Sequence, residues 1–136
     1  MHFDTKIVMV LRDDLAGWQK LNVTAYLASG IAHAHADVVG RPYADGSGNA
    51  YLAMFGQPVL VFAGDAPALT RTHERALAAG LSVAVFTEEL FQTGSDDDNR
   101  AAVAAVPADK LALVGLGIYG RRNAVDKAVK GLSLHR

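Results

Sequence analysis

Lys6-Ile7-Val8-Met9-Val10-Leu11 (KIVMVL) is the stretch that decides the fold class. Five apolar residues follow Lys6 with no polar alternation, and three of them, Ile7, Val8 and Val10, are β-branched. A strand with one wet face alternates, whereas a strand covered on both faces reads as a continuous apolar run. The stretch therefore predicts a central strand in a sheet with helices on both sides, and Arg12-Asp13-Asp14 ends it.

Outward from that strand, good helix formers run from Gly17 or Trp18 to about His35. Their apolar residues fall on two stripes, Leu21, Ala25, Ala28, Ala32 and Val23, Leu27, Ile31, which predicts a helix covered on more than one side. Gly40–Asn49 (GRPYADGSGN) is a loop or hairpin end, with Asp45-Gly46 as the turn signal. Pro58–Phe62 reads as a second buried strand, and Asp65 then caps a helix with Pro67 in its first turn that ends at Gly80. Ser82–Phe86 is a third strand, followed by an acidic stretch in which Asp98 is the expected cap of a helix over Asn99–Val106. Leu111–Ile118 and Arg122–Gly131 close the pattern as a strand and a helix. Strands alternating with helices predict a three-layer α/β/α sandwich around a mixed, mostly parallel sheet of four or five strands.

The 136 residues, 51% of them hydrophobic, suit one domain spanning 1–136 with one well-filled core. With 13 Lys plus Arg against 14 Asp plus Glu the net charge is -1, which disfavours nucleic acid as a partner of the whole molecule. The absence of Cys excludes disulfides, thiolate metal sites and Cys nucleophiles. The N-terminal segment Met1–Lys6 leads into an apolar run too short for a signal-peptide core, and no stretch reaches the ~20 apolar residues of a membrane span. A soluble, cytoplasmic protein is expected.

Gly115-Leu116-Gly117-Ile118-Tyr119-Gly120 matches G-x-G-x-x-G in form. A dinucleotide site also needs a further strand and an acidic residue about 20 positions on, which this sequence does not supply. The glycines are better read as relief for close backbone packing and a tight turn between strand and helix. His33 and Asp37 share a helix face while His35 points elsewhere, so no metal set is complete and neither metal nor cofactor is expected. Arg121, Arg122, Lys127, Lys130 and Arg136 form a basic C-terminal patch, read first as a solvated helix face and second as a phosphate contact.

The carboxylates Asp13, Asp14, Glu88 and Glu89 follow two predicted strands, and the carboxyl ends of strands are where open α/β sheets bind ligands. Lys20, Asn22 and Thr87 lie nearby in sequence. Two readings follow. In the first, an ester or amide bond of a small acylated substrate is hydrolysed. Glu88 is then the general base, Lys20 stabilises the oxyanion, and Asp14, Asn22 and Thr87 position the substrate. In the second, a non-enzymatic homodimer binds a small molecule in the same region. Closure of the pocket by Trp18 or Phe91 favours the second reading.

Lys6–Leu15, the Ala-rich helix after it, Ala78-Ala79-Gly80-Leu81, Leu113–Gly117 and Val125-Asp126-Lys127 together resemble peptidyl-tRNA hydrolase II in the same order along nearly the whole chain. A closer resemblance is to a domain-of-unknown-function family of the same fold. It is carried by Leu21-Asn22-Val23-Thr24-Ala25, Tyr43-Ala44-Asp45-Gly46, Gln57-Pro58-Val59-Leu60 and Gly117-Ile118-Tyr119-Gly120. The resemblance implies the hydrolase II fold and a homodimer. It implies Lys20 as the counterpart of the lysine in the hydrolase's Gly-Lys-Gly-Lys segment, displaced by a residue or two in Gly17-Trp18-Gln19-Lys20. The hydrolase's Asp-Ala-Gly-Arg-Thr segment becomes Glu88-Glu89-Leu90-Phe91-Gln92, which keeps an acid and loses the glycine and arginine. Peptidyl-tRNA itself is accordingly not the expected substrate.

Overall fold

The run Lys6–Leu11 lies within β1 (Thr5–Arg12), the middle strand of a five-stranded sheet, in a computed structural model that describes residues 3–136. Met1 and His2, part of the N-terminal segment read above, lie outside the described residues. After β1 come α1 (Gly17–Ala34), a short hairpin of β2 (Tyr43–Ala44) and β3 (Ala50–Tyr51), β4 (Val59–Gly64) and α2 (Ala66–Ala78). Then follow β5 (Ser82–Thr87), α3 (Asp96–Ala104), β6 (Leu113–Arg121), α4 (Arg122–Ala128) and β7 (Ser133–Leu134).

The order across the sheet is β5-β6-β1-β4-β7. Among neighbouring strands of this sheet only β1 and β4 pair in parallel, with Ile7 opposite Val59 and Arg12 opposite Gly64; β6 runs antiparallel to both β1 and β5, and β7 to β4. The sheet is therefore mixed but not mostly parallel, a correction to the sequence reading. An uninterrupted apolar run reports that both faces of a strand are covered and says nothing of its direction.

One face packs under α1, where Ile7, Met9 and Leu11 meet Val23, Leu27 and Ile31. The other packs under α2 and α4, where Val8, Val10, Leu116 and Ile118 meet Leu69, Ala76, Val125 and Ala128. Burying such side chains stabilises by roughly 1.5–3 kcal/mol each, which fixes the register of β1 between the layers. No helix among the described residues is long and apolar enough to cross a membrane.

Asp65 caps α2 as expected, its carboxylate accepting from the Ala68 amide, and Gly80 follows with φ of 70°. Two further expectations need correction. Helix α3 starts at Asp96 and its cap is Ser95, whose hydroxyl accepts from the Asp98 amide, so Asp98 lies inside the first turn instead of capping it. A serine hydroxyl competes well with a carboxylate for this position. Gly115, Gly117 and Gly120 all lie within β6, not in a strand-to-helix turn. A Cβ on Gly115 would overlap Val23 Cγ1, and one on Gly117 would stand 3.1 Å from Leu27 Cβ, so two of the glycines let α1 settle on the strand.

Candidate functional site

The carboxyl ends of β1, β4 and β5 meet at one edge of the sheet, and there Arg12, Asp13, Asp14, Asp65 and Glu88 line a shallow cleft of about 250 Å³. Arg12 organises it. Its guanidinium donates from Nε to Asp14 at 2.6 Å and from Nη1 to Glu88 at 2.5 Å, with its side chain only 18% exposed. Burial opposes the Arg12 charge, but the two carboxylates outweigh it and raise its pKa; Asp14 is lowered in return by the hydrogen bond from Arg12. Glu88 is thus half of an ion pair whose carboxylate side stays 52% exposed.

The other three residues singled out in the sequence lie elsewhere. Thr87 is 1% exposed, pairs with Leu113 across the β5–β6 register shift, and its hydroxyl finds no hydrogen-bond partner among the described residues. Lys20 sits half-buried in the first turns of α1 and lines neither the Arg12 cleft nor the groove described next. An aromatic chain links α1 to β5 and the turn after it: Trp18 meets Phe91 edge-on at 5.7 Å, Phe91 meets Phe86 at 5.0 Å, and Phe86 meets Tyr26 edge-on at 5.7 Å. The Trp18–Phe91 contact ties the start of α1 to the turn that carries Glu88.

Asn22 opens onto a different place, a groove between α1 and α3 over β5. Its polar end, about 350 Å³, is lined by Asn22, Thr93, Ser95 and Asn99, with Tyr26 and Phe86 as walls. Its apolar end, about 520 Å³, adds Leu27, Ala84, Val85, Val103 and Ala104. Tyr26, Phe86, Leu90, Asp96 and Asn99 line both ends, so the two adjoin. The Thr93 hydroxyl and the Asn99 side-chain oxygen are hydrogen-bonded at the polar end. Asp96 and Arg100 pair at the rim at 2.6 Å.

Arg12, Tyr26 and Asn99 were missed in the sequence. Arg12 was legible as the end of the same strand that supplies Asp14, and Tyr26 as the i, i+4 neighbour of Asn22 on one helix face. Asn99 carries no local signal, because only the docking of α3 brings it to α1. The histidines of the metal reading separate: His35 Nε2 lies 2.8 Å from Ser82 Oγ with its ring against Tyr119, while His33 is exposed in the last turn of α1. Among the described residues no three His, Cys, Asp or Glu side chains come together as a metal-ligand set.

A helix-covered, five-stranded mixed sheet with a groove beside its β5 edge places this chain among α/β proteins. It belongs to the family described as Protein of unknown function (DUF2000), whose model matches residues 5–136. It is similar to the solved structure of Atu0240, a protein of unknown function from Agrobacterium tumefaciens str. C58. The two are 44% identical over 99% of this chain and 100% of that one, with a TM-score of 0.97. No curated protein matches the chain.

Proposed function

We propose that the protein is a non-enzymatic binding module that holds a small molecule with a hydrogen-bonding, amide-like head and an apolar acyl tail in the α1–α3 groove. The observation that carries this reading is that the Asn22/Asn99 end adjoins the Leu27/Val103 end, because small-molecule sites pair an apolar wall with a few placed polar groups. Hydrolysis through Glu88 and Lys20 is less well supported, since Arg12 pairs with Glu88 and Lys20 does not line the cleft that Glu88 lines. The resemblance to peptidyl-tRNA hydrolase II supports a related fold more than a shared reaction. The module is proposed to act as a homodimer through the outward stripe of α1, where Leu21 is 74% and Trp18 62% exposed.

Native mass spectrometry with a panel of N-acyl amides tests the proposal. A ligand bound at unchanged mass, and weakened about tenfold in Asn99→Ala and in Val103→Glu, is the expected result. Cleavage that disappears in Lys20→Ala and in Glu88→Gln would restore the hydrolase reading, and absence of binding by every member would overturn the module.

A further inference from the structure

A cleft of about 1090 Å³ lies at the opposite edge of the sheet from Arg12 and Glu88, where β1 begins and β6 ends. Its walls are the last turn of α2 and the start of α4. Arg75, Arg121, Arg122 and Lys127 line it against one carboxylate, Asp4, in a chain whose overall charge is -1. Among the described residues none of these four cations forms an ion pair. Asp126, which stands i, i+4 from Arg122, is taken instead by Lys6 at 2.6 Å.

Two of the guanidinium groups are held by backbone carbonyls. Arg122 Nε donates to Phe3 O and Arg75 Nη1 to Lys130 O, each at 2.9 Å, which fixes the planes and leaves their other N–H groups available. A carbonyl orients a guanidinium without neutralising it. The last turn of α2 does oppose an anion, but its dipole amounts to only about half a unit charge, and four cations outweigh it. The floor is small and apolar, formed by Ala78, Ala79, Ala124 and Ala128.

We propose that this cleft binds a small-molecule diphosphate ester, the chemistry that a nucleoside diphosphate presents. Oriented guanidinium groups suit phosphate oxygens in bidentate fashion, four cations exceed what one phosphate engages, and the alanine floor accepts a flat organic group. The site does not depend on the α1–α3 groove, which lies in the other helix layer.

Isothermal titration of the full chain with ADP, pyrophosphate and a single-stranded oligoribonucleotide tests it. ADP should bind in the micromolar to low millimolar range, more weakly as salt rises, and about tenfold more weakly in the doubly substituted Arg121→Glu, Lys127→Glu protein. Arg121→Gln with Lys127→Gln repeats the test should charge reversal disturb folding, and Asn99→Ala should leave ADP binding unchanged. ADP affinity that is equal in wild type and the glutamine pair, or no binding of either ADP or pyrophosphate at millimolar concentration, overturns the proposal. An oligonucleotide that binds much more tightly than ADP through the same residues overturns it in favour of a nucleic-acid surface.

Discussion

Arg12 spans the sheet edge from the end of β1 to Glu88 just beyond β5, two strands away, and holds Asp14 with the same guanidinium. Arg12→Ala should therefore loosen that edge, at a cost of roughly 1 kcal/mol in urea unfolding. The Asp14 pKa, which the hydrogen bond from Arg12 lowers, should rise toward its ordinary value in an NMR titration. With a depressed folded pKa, the Asp14 contribution is present above the ordinary carboxylate range and is lost as pH falls through the folded value. An Asp14 titration identical in both proteins would show that the pair does not persist in solution.

Gly115→Ala should destabilise by about 1–3 kcal/mol, because the added methyl enters the space of Val23 Cγ1 and stands 3.2 Å from Leu27 Cδ1. Gly46→Ala is the control: nothing lies within 4 Å of its Cβ position, and the change should stay within about 0.5 kcal/mol. Equal midpoints for the two variants in urea would remove the close-packing account of the β6 glycines.

The β2–β3 hairpin is pinned by Asp45, whose carboxylate accepts from the Asn49 side chain, the Tyr51 hydroxyl and the Asn49 and Ser47 amides. The Asn49 side chain, then Tyr51, hold this carboxyl far below the usual range, and the same bond raises the Tyr51 phenol. The hairpin should keep its Ser47 and Asn49 amide shifts as pH falls through about 4, where ordinary carboxylates titrate, and lose them only in stronger acid. Asp45→Ala should bring the Tyr51 titration back down toward about 10. Loss of the amide shifts near pH 4 would contradict the arrangement.

The proposed homodimerisation through α1 rests on the exposed Leu21 and Ala25 on a helix whose one formal charge is Lys20. A two-fold interface sets a surface against itself, so a surface nearly free of charge avoids like-charge repulsion at the axis. Light scattering should give a dimer mass for the wild type and a monomer mass for Leu21→Glu. A wild-type monomer at micromolar concentration would refute it.

The sequence alone determined the central strand, the helix over Gly17–Ala34, the Asp65 cap and the turn at Asp45, because each rests on chemistry within a few residues: continuous apolar burial, helical spacing, a capping oxygen, an Asx turn. It also placed Asp14 and Glu88 on one edge, since both follow buried strands. Strand direction, the brief β7 pairing and the Ser95 cap depended on which partner each backbone group found in space. So did the candidate sites. Glu88 meets Arg12 across 76 positions of chain, Asn99 reaches Asn22 only when α3 docks beside α1, and Arg75 joins Arg122 only because α2 and α4 share a face of the sheet. Such contacts have no local signature, because the sequence spacing between partners is set by how the chain returns to the sheet and not by the chemistry they perform.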